Sequence, residues 1–255
     1  MERRKFLKLA GISAAVAGGV PEFLLREVKA RSYTPPQGAL TAKRWGLAID
    51  VKKCLEHPEC NDCIKACHKV HNIPDIPDKK KEIKWIWKDR FEHVFPEQPN
   101  EFNNLLFKNK SFLLLCNQCK HPPCVRVCPT QATFKREDGI IMMDYHRCIG
   151  CRFCMSACPF GARSFNWVDP RPYLSEFNPE FPTRMKGVVE KCLFCYERLE
   201  RGQIPACVEA CKCKALIFGD LEDENSEISR LLKKRFSIRR KAELGTEPSV
   251  FYILG

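Results

Sequence analysis

Cysteines are the residues of this chain whose type and spacing could do chemistry. The 255-residue sequence contains 17 of them, many more than a chain of this length needs to support a small core with disulfides. All but Cys213 fall into four blocks of four. The blocks are Cys54, Cys60, Cys63 and Cys67; Cys116, Cys119, Cys124 and Cys128; Cys148, Cys151, Cys154 and Cys158; and Cys192, Cys195, Cys207 and Cys211. Repeated sets of thiols predict metal or metal-cluster binding.

The spacing within the blocks indicates the kind of metal centre. Block three is C-x2-C-x2-C-x3-C followed by Pro159, the run in which bacterial ferredoxins place three thiolates on one [4Fe-4S] cluster and the fourth on a second cluster. The other blocks keep the final x3 step and lengthen an earlier loop, as C-x5-C-x2-C-x3-C, C-x2-C-x4-C-x3-C and C-x2-C-x11-C-x3-C. Four complete sets therefore predict four [4Fe-4S] clusters.

Structural zinc is the main alternative use of these cysteines. Zinc sites typically pair two C-x2-C steps across a longer connector and do not need a third cysteine at the same short spacing. The triple spacing of block three therefore favours iron-sulfur clusters over zinc.

The net charge agrees with bound anionic clusters. The formal charge is +12, of which residues 1–30 contribute +3 through six basic and three acidic side chains. The remaining +9 is close to the charge of roughly −8 that four oxidised clusters with thiolate ligands would carry. Since no polybasic block accompanies a stacking platform, we expect no nucleic-acid partner.

Residues 1–30 resemble a twin-arginine signal peptide. Arg3 and Arg4 precede a weakly apolar stretch over 9–20 and a cleavage-like site before Ala30; an amphipathic first helix is the alternative. Such a signal predicts export of the folded protein to the extracytoplasmic, periplasmic side of the cytoplasmic membrane. Folding would then occur in the reducing cytoplasm, which disfavours a disulfide scaffold. The sequence contains no apolar run long enough for a conventional spanning helix, and it leaves open whether the signal is cleaved or kept as an anchor.

The flanks of the blocks carry a family resemblance over residues 46–255. The matching motifs are Ile49-Asp50-Val51-Lys52-Lys53-Cys54, Cys116-Asn117-Gln118-Cys119, Cys158-Pro159-Phe160-Gly161-Ala162-Arg163, and Lys191-Cys192-Leu193-Phe194-Cys195. With them the chain resembles the four-cluster ferredoxin-like electron-transfer subunits of respiratory complexes, which include the beta subunits of dimethyl sulfoxide, polysulfide and tetrathionate reductases.

The resemblance implies an α+β fold of two bacterial-ferredoxin-like two-cluster units with insertions and little regular secondary structure. The outer unit would comprise residues 46–73 and 186–225, and the inner unit residues 113–168. Residues 74–112 would be an insertion, whose Trp85 and Trp87 we expect to pack or to contact a partner. Residues 226–255 would form a C-terminal helix and strand.

The resemblance also implies that neighbouring blocks exchange their last cysteine. Four ligand sets follow: Cys54, Cys60, Cys63 and Cys211; Cys192, Cys195, Cys207 and Cys67; Cys116, Cys119, Cys124 and Cys158; and Cys148, Cys151, Cys154 and Cys128. Cys213 could compete with Cys211, but Cys211 completes the x3 step.

Some local elements can be expected as well. We expect a strand over 139–143, a short helix after the third cysteine of each block, and a surface helix within 226–244. The four histidines beside cluster cysteines are expected to be solvated or packed: His57, His68, His121 and His146.

No catalytic constellation is visible, so the resemblance implies an electron-transfer subunit without substrate chemistry of its own. Its partners would be a polytopic quinone-interacting membrane subunit of the polysulfide-reductase type and a cytochrome c or another redox subunit. Among such complexes, the one associated with dissimilatory sulfite reduction ranks first, and its counterpart in cytochrome c nitrite reduction is the other candidate. The alternative is the beta subunit of a molybdopterin oxidoreductase, and a zinc-binding or nucleic-acid-binding protein is more remote.

Overall fold

The computed structural model describes residues 35–255, so the twin-arginine segment expected at 1–30 lies outside the described residues. Regular structure is short throughout, because the chain turns repeatedly around its cysteines. The strands are β1 (Trp45–Asp50), β2 (Ile86–Arg90), β3 (Ser111–Leu115), β4 (Thr133–Lys135), β5 (Ile141–Met143), β6 (Ser164–Phe165), β7 (Val189–Glu190), β8 (Leu216–Asp220), β9 (Ser237–Ile238) and β10 (Val250–Ile253). The α-helices are α1 (Val51–Leu55), α2 (Asp62–His71), α3 (Phe91–Val94), α4 (Glu101–Leu106), α5 (Pro123–Arg126), α6 (Phe153–Ser156), α7 (Tyr196–Leu199), α8 (Ala206–Glu209) and α9 (Glu227–Lys234).

One four-stranded sheet joins distant parts of the chain in the order β8-β1-β10-β9. β1 lies antiparallel to β8, with Leu47 opposite Phe218, and parallel to β10, with Leu47 opposite Val250. Every residue of β1 is buried, as expected of a central strand covered on both faces. The sheet therefore brings the segment before Cys54 beside the segment after Cys211.

Three two-stranded pairs complete the sheet structure of the described residues. β2 pairs with β3, β4 with β5, and β6 with β7, all antiparallel. The β6–β7 pair sets Ser164 opposite Glu190. It therefore brings the segment that follows block three beside the start of block four.

A buried polar network holds the 74–112 segment against β7. Glu190 accepts hydrogen bonds from the indole Nε1 of Trp85 at 3.0 Å and from Nε of Arg184 at 2.7 Å. Arg184 also donates to the backbone carbonyl of Asn72 at 2.8 Å. Both side chains of the Arg184–Glu190 pair are fully buried, and removing one partner would leave an uncompensated buried charge. Trp85 therefore packs, as the sequence analysis expected.

The fold class expected from the sequence, α+β with little regular structure, is confirmed. The expected strand at 139–143 is shorter, covering Ile141–Met143. The surface helix expected within 226–244 ends at Lys234, because Arg235 is extended and Ser237–Ile238 then pairs with β10. Phe236 follows Ile228, Leu231 and Leu232 at nearly helical spacing, but it lies beyond the end of the helix and is exposed. Among residues 35–255, no helix combines the length and hydrophobicity that membrane crossing requires.

Candidate iron-sulfur cluster sites

A repeated helix start positions the third cysteine of every block. Cys63, Cys124, Cys154 and Cys207 each occupy the second residue of a helix: α2, α5, α6 and α8. Backbone N–H groups in the first turn lack intrahelical acceptors, so they are free to donate to a nearby anionic sulfur. The cysteine spacing predicts these helices after the third cysteine, but they begin one residue before it.

Left-handed backbone turns the chain so that the cysteines of one block face inward together. In blocks two to four the residue before the second cysteine has positive φ, and so does the third residue after the last cysteine. These residues are Gln118, Gly150 and Phe194 at the first position and Gln131, Gly161 and Lys214 at the second. Only two of the six are glycine, although side chains destabilise this conformation. The three loops therefore share a turn that their amino-acid composition does not predict, because four of the six residues are not glycine.

Cys67, Cys192, Cys195 and Cys207 line one cavity. This outer cavity has about 350 Å³ of empty space, counting its mouth, and its walls include Leu47, Ile86 and Phe218. Three of the cysteines come from block four, and Cys67 comes from block one. The cavity therefore collects the sulfurs that the resemblance groups together.

Two further cavities, the inner cavities, lie among blocks two and three. One, of about 310 Å³ with its mouth, is lined by Cys116, Cys119, Cys124 and Cys158. The other, of about 280 Å³, is lined by Cys128, Cys148, Cys151 and Cys154. In each, three cysteines belong to one block and the fourth to the other, again in the grouping that the resemblance implies.

The remaining expected set is Cys54, Cys60, Cys63 and Cys211, and its support lies in the electrostatic environment of Cys63. Burial, together with the charges of Cys54, Cys211 and Cys60, raises the pKa of Cys63 to about 12. Burial likewise raises the pKa of Cys54 to about 11. These four sulfurs are therefore electrostatic neighbours, although none of the described cavities is lined by all four.

The donor chemistry fits an iron-sulfur cluster. No aspartate or glutamate lines any of these three cavities in the described part of the chain, which would be unusual for a site built for a hard cation. Burial raises the pKa of Cys119 and of Cys192 to about 12, so these thiols hold their protons until a metal displaces them.

Backbone donors also point at the sulfurs. The amide of Thr133 donates to Sγ of Cys128 at 3.5 Å, that of Phe194 to Cys192 at 3.5 Å, and that of Ala215 to Cys211 at 3.3 Å. Such N–H donors stabilise anionic sulfur and influence the reduction potential of a cluster.

Two buried cations, Arg163 and Lys191, lie among the cysteines. Neither has a role that the cysteine spacing predicts. Arg163 is 5% exposed and lines the inner cavity of Cys116, Cys119, Cys124 and Cys158. Lys191 is fully buried, and its Nζ donates to the carbonyls of Ile141 and Cys192. Burial lowers the pKa of Lys191, which the charge of Cys116 partly opposes. Lys191 and Arg163 both lay within motifs that carried the family resemblance, but only the tertiary structure shows that they are buried.

His71 lies beside the outer cavity. Its Nδ1 is 3.6 Å from Sγ of Cys67 and 3.0 Å from the Cys67 carbonyl, and its Nε2 is 2.7 Å from Oε1 of Glu197. Nitrogen, sulfur and carboxylate donor atoms of His71, Cys195 and Glu197 lie within 4.8 Å of one another. Cys195 and His71 both line the outer cavity and Glu197 does not, so the carboxylate lies beside this site without forming part of its wall.

The histidines beside cluster cysteines in the sequence lie elsewhere. His57 and His146 are exposed, and His121 pairs with Glu247 at 3.3 Å with most of its side chain in solvent. His68 is half-buried. The relevant histidine, His71, comes four residues after Cys67, so the helical periodicity of α2 was the available signal.

Comparison with known proteins agrees with this geometry. A family model described as a 4Fe-4S dicluster domain matches residues 108–171 and 175–221, which contain blocks two, three and four. The Hdr-like menaquinol oxidoreductase iron-sulfur subunit 1 of Archaeoglobus fulgidus is 42% identical over 99% of this chain and 97% of its own length. The menaquinone reductase iron-sulfur cluster-binding subunit of Nitratidesulfovibrio vulgaris is 35% identical over 82% of this chain and 88% of its own length. A tetrathionate reductase subunit of Salmonella typhimurium is 35% identical over 98% of this chain and 87% of its own length.

Proposed function

Because the chain belongs to the family of 4Fe-4S dicluster iron-sulfur subunits of oxidoreductase complexes, we propose that it carries four [4Fe-4S] clusters and relays electrons within a membrane-associated respiratory complex. The observation that carries the proposal is the set of three cavities, each lined by four cysteines from two blocks and by no acidic side chain. A site for a hard cation or a small polar substrate would need oxygen donors.

The proposed ligand sets follow the grouping of the sulfurs. Three sets are those that line the three cavities, and the fourth is Cys54, Cys60, Cys63 and Cys211. Its support is the influence of Cys54, Cys60 and Cys211 on the pKa of Cys63 and the amide of Ala215, which donates to Cys211. Cys213 is left outside the sets.

A [4Fe-4S] cluster accepts and releases single electrons without a change of ligands. The chain's own part is to hold the thiols, to keep water from the sites, and to set the local charge. Leu47, Ile86 and Phe218 wall the outer cavity, and low polarity strengthens each electrostatic contact inside it. The proposal gives the chain no substrate chemistry of its own.

We propose that the chain is organised as two ferredoxin-like units, an outer one and an inner one. The outer unit, residues 46–73 with 186–225, is supported by the pairing of β1 with β8. The inner unit, residues 113–168, is supported by the β4–β5 pair and by the two inner cavities.

The proposed partners are a polytopic quinone-reactive membrane subunit and a cytochrome c or another redox subunit. Similarity to proteins named menaquinol oxidoreductase and menaquinone reductase subunits supports a quinone-reactive partner. Similarity to a protein named as a tetrathionate reductase subunit supports the alternative, the beta subunit of a molybdopterin oxidoreductase. We place the complex at the extracytoplasmic face of the cytoplasmic membrane, on the twin-arginine pattern at 1–30.

The test is the metal content of the full chain purified without oxygen. We expect about 16 iron and about 16 acid-labile sulfide per chain. Reduction with dithionite should produce overlapping, magnetically interacting electron paramagnetic resonance signals. Mass spectrometry of the proteins that co-purify from membranes then distinguishes the two partner types.

Wholesale zinc in place of iron, or a colourless preparation without sulfide, contradicts the proposal. A content of about 8 iron, as two clusters would give, would reject the four-cluster count while keeping an electron-transfer role.

A further inference from the structure

Arg163 has an unusual environment for a buried cation. A guanidinium is always charged in proteins, and a buried charge normally has a paired carboxylate. Arg163 is 5% exposed, and its Nη2 has no nitrogen or oxygen partner. Its Nη1 donates to the hydroxyl of Thr133 at 3.2 Å and contacts Sδ of Met143 at 3.9 Å. No carboxylate among residues 35–255 forms an ion pair with it.

Arg163 also lies between the two inner cavities. It lines the cavity of Cys116, Cys119, Cys124 and Cys158. Thr133, which accepts its hydrogen bond, lines the other cavity together with Cys154. Cys124 and Cys154 are electrostatic neighbours of the guanidinium, and these two cysteines belong to different ligand sets.

The internal repeat supplies a comparison within the same chain. Arg163 is the fifth residue after the last cysteine of block three, within Gly161-Ala162-Arg163-Ser164-Phe165. The corresponding segment after block four is Lys214-Ala215-Leu216-Ile217-Phe218, and Gly161 and Lys214 both have positive φ. The fifth residue after the last cysteine of block four is therefore Leu216, which is buried and uncharged. Leu216 occupies in the outer unit the position that Arg163 occupies in the inner unit.

We propose that Arg163 is the shared counter-charge of the two inner clusters and keeps their reduction potentials higher than an uncharged residue would. The inference rests on the proposed function. Each electron that enters an inner site adds one negative charge, and the nearby guanidinium stabilises that charge while keeping its own proton. Because this cation is buried, solvent and salt screen it only weakly.

The experiment is a potentiometric titration, monitored by electron paramagnetic resonance, of the loaded full chain and four variants. R163Q removes the charge, R163K keeps it, and R147Q removes a charge beside Cys148 that is 62% exposed. Signals of the inner pair are assigned by their loss or alteration in C151S. We expect the inner signals to shift to lower potential in R163Q, to shift less in R163K, and to shift least in R147Q, while the outer signals stay in place.

Iron and sulfide contents are measured for every sample. A fully loaded R163Q with unshifted inner potentials overturns the proposal, and so does an R147Q shift as large as that of R163Q. If R163Q loses iron from the inner sites while R163K retains it, the result supports a requirement for the positive charge. Equal loss of iron in both variants overturns the proposal and indicates that Arg163 has a packing role. Absence of clusters from the wild-type chain is a different result, because it rejects the proposed function itself.

Discussion

At the scale of single residues, Cys211 and Cys213 compete for one role. Their sulfurs are 3.7 Å apart, so either lies near the set of Cys54, Cys60 and Cys63. The amide of Ala215 donates to Sγ of Cys211 at 3.3 Å, as the amide of Thr133 does to Cys128. Cys211 therefore has the contact found at the last cysteine of block two.

Serine substitutions distinguish which of the two cysteines, Cys211 or Cys213, is a cluster ligand. We expect C211S to lose about 4 of about 16 iron atoms, because one cluster loses a ligand, and C213S to keep its full complement. The measurement is iron content after anaerobic purification, and each variant is the control for the other. Full iron in C211S together with loss in C213S would assign the ligand to Cys213.

At the scale of elements, the β6–β7 pair limits the size of the residue at position 150. The segment just before β7 approaches the loop that joins Cys148 to Cys151, where Gly150 lies against the carbonyl oxygen of Gly187. A Cβ added at Gly150 would overlap the carbonyl oxygen of Gly187, whereas one added at Gly161 meets nothing within 4 Å. Both glycines have positive φ, at 68° and 61°, so they differ mainly in this contact.

Alanine at the two glycines tests whether the close approach holds the loop in place. We expect both substitutions to cost about 1–2 kcal/mol for the left-handed backbone. G150A should in addition lose iron from the site of Cys128, Cys148, Cys151 and Cys154, while G161A should keep it. Iron content and thermal melting are the measurements. Equal iron in both variants would show that the loop tolerates a shift at Gly187.

At the scale of the whole molecule, cysteines form part of the main hydrophobic core beside Leu, Ile, Val, Phe and Trp side chains. Six buried cysteines belong to the main hydrophobic cluster: Cys63, Cys67, Cys124, Cys154, Cys192 and Cys207. Regular elements are short, and the cavities lie among them rather than on a surface. Metal binding is therefore expected to supply part of the folding free energy.

Iron removal should consequently abolish cooperative unfolding. A typical domain is stable by about 5–15 kcal/mol in total, and loss of four anchored sites would remove the contacts on which its short elements depend. Circular dichroism melting of the chelated and the reconstituted protein, both kept without oxygen, measures the effect. An iron-free protein that melted within about 4 °C of the loaded one, equivalent to about 1 kcal/mol at this size, would contradict the expectation.

The sequence by itself determined the chemistry of the sites. The spacing of Cys148, Cys151 and Cys154 is local, so a few loop residues suffice to bring three sulfurs together. The kind of centre and the family could therefore be predicted from the cysteine spacing and its flanking motifs, together with the α+β class. The short helices were harder, since a turn such as Pro123–Arg126 is shorter than one period of the pattern that identifies a helix.

The tertiary structure decided which distant side chains stand beside the sulfurs. Nothing in the local sequence predicts burial for Arg163 or Lys191. Both are nevertheless buried, each among cysteines from two blocks. His71 meets Glu197, 126 positions away. The reason is physical. The short spacing along the chain determines the relative positions of the first three sulfurs of block three, whereas strand pairing and packing between distant segments determine which charged side chains lie around them.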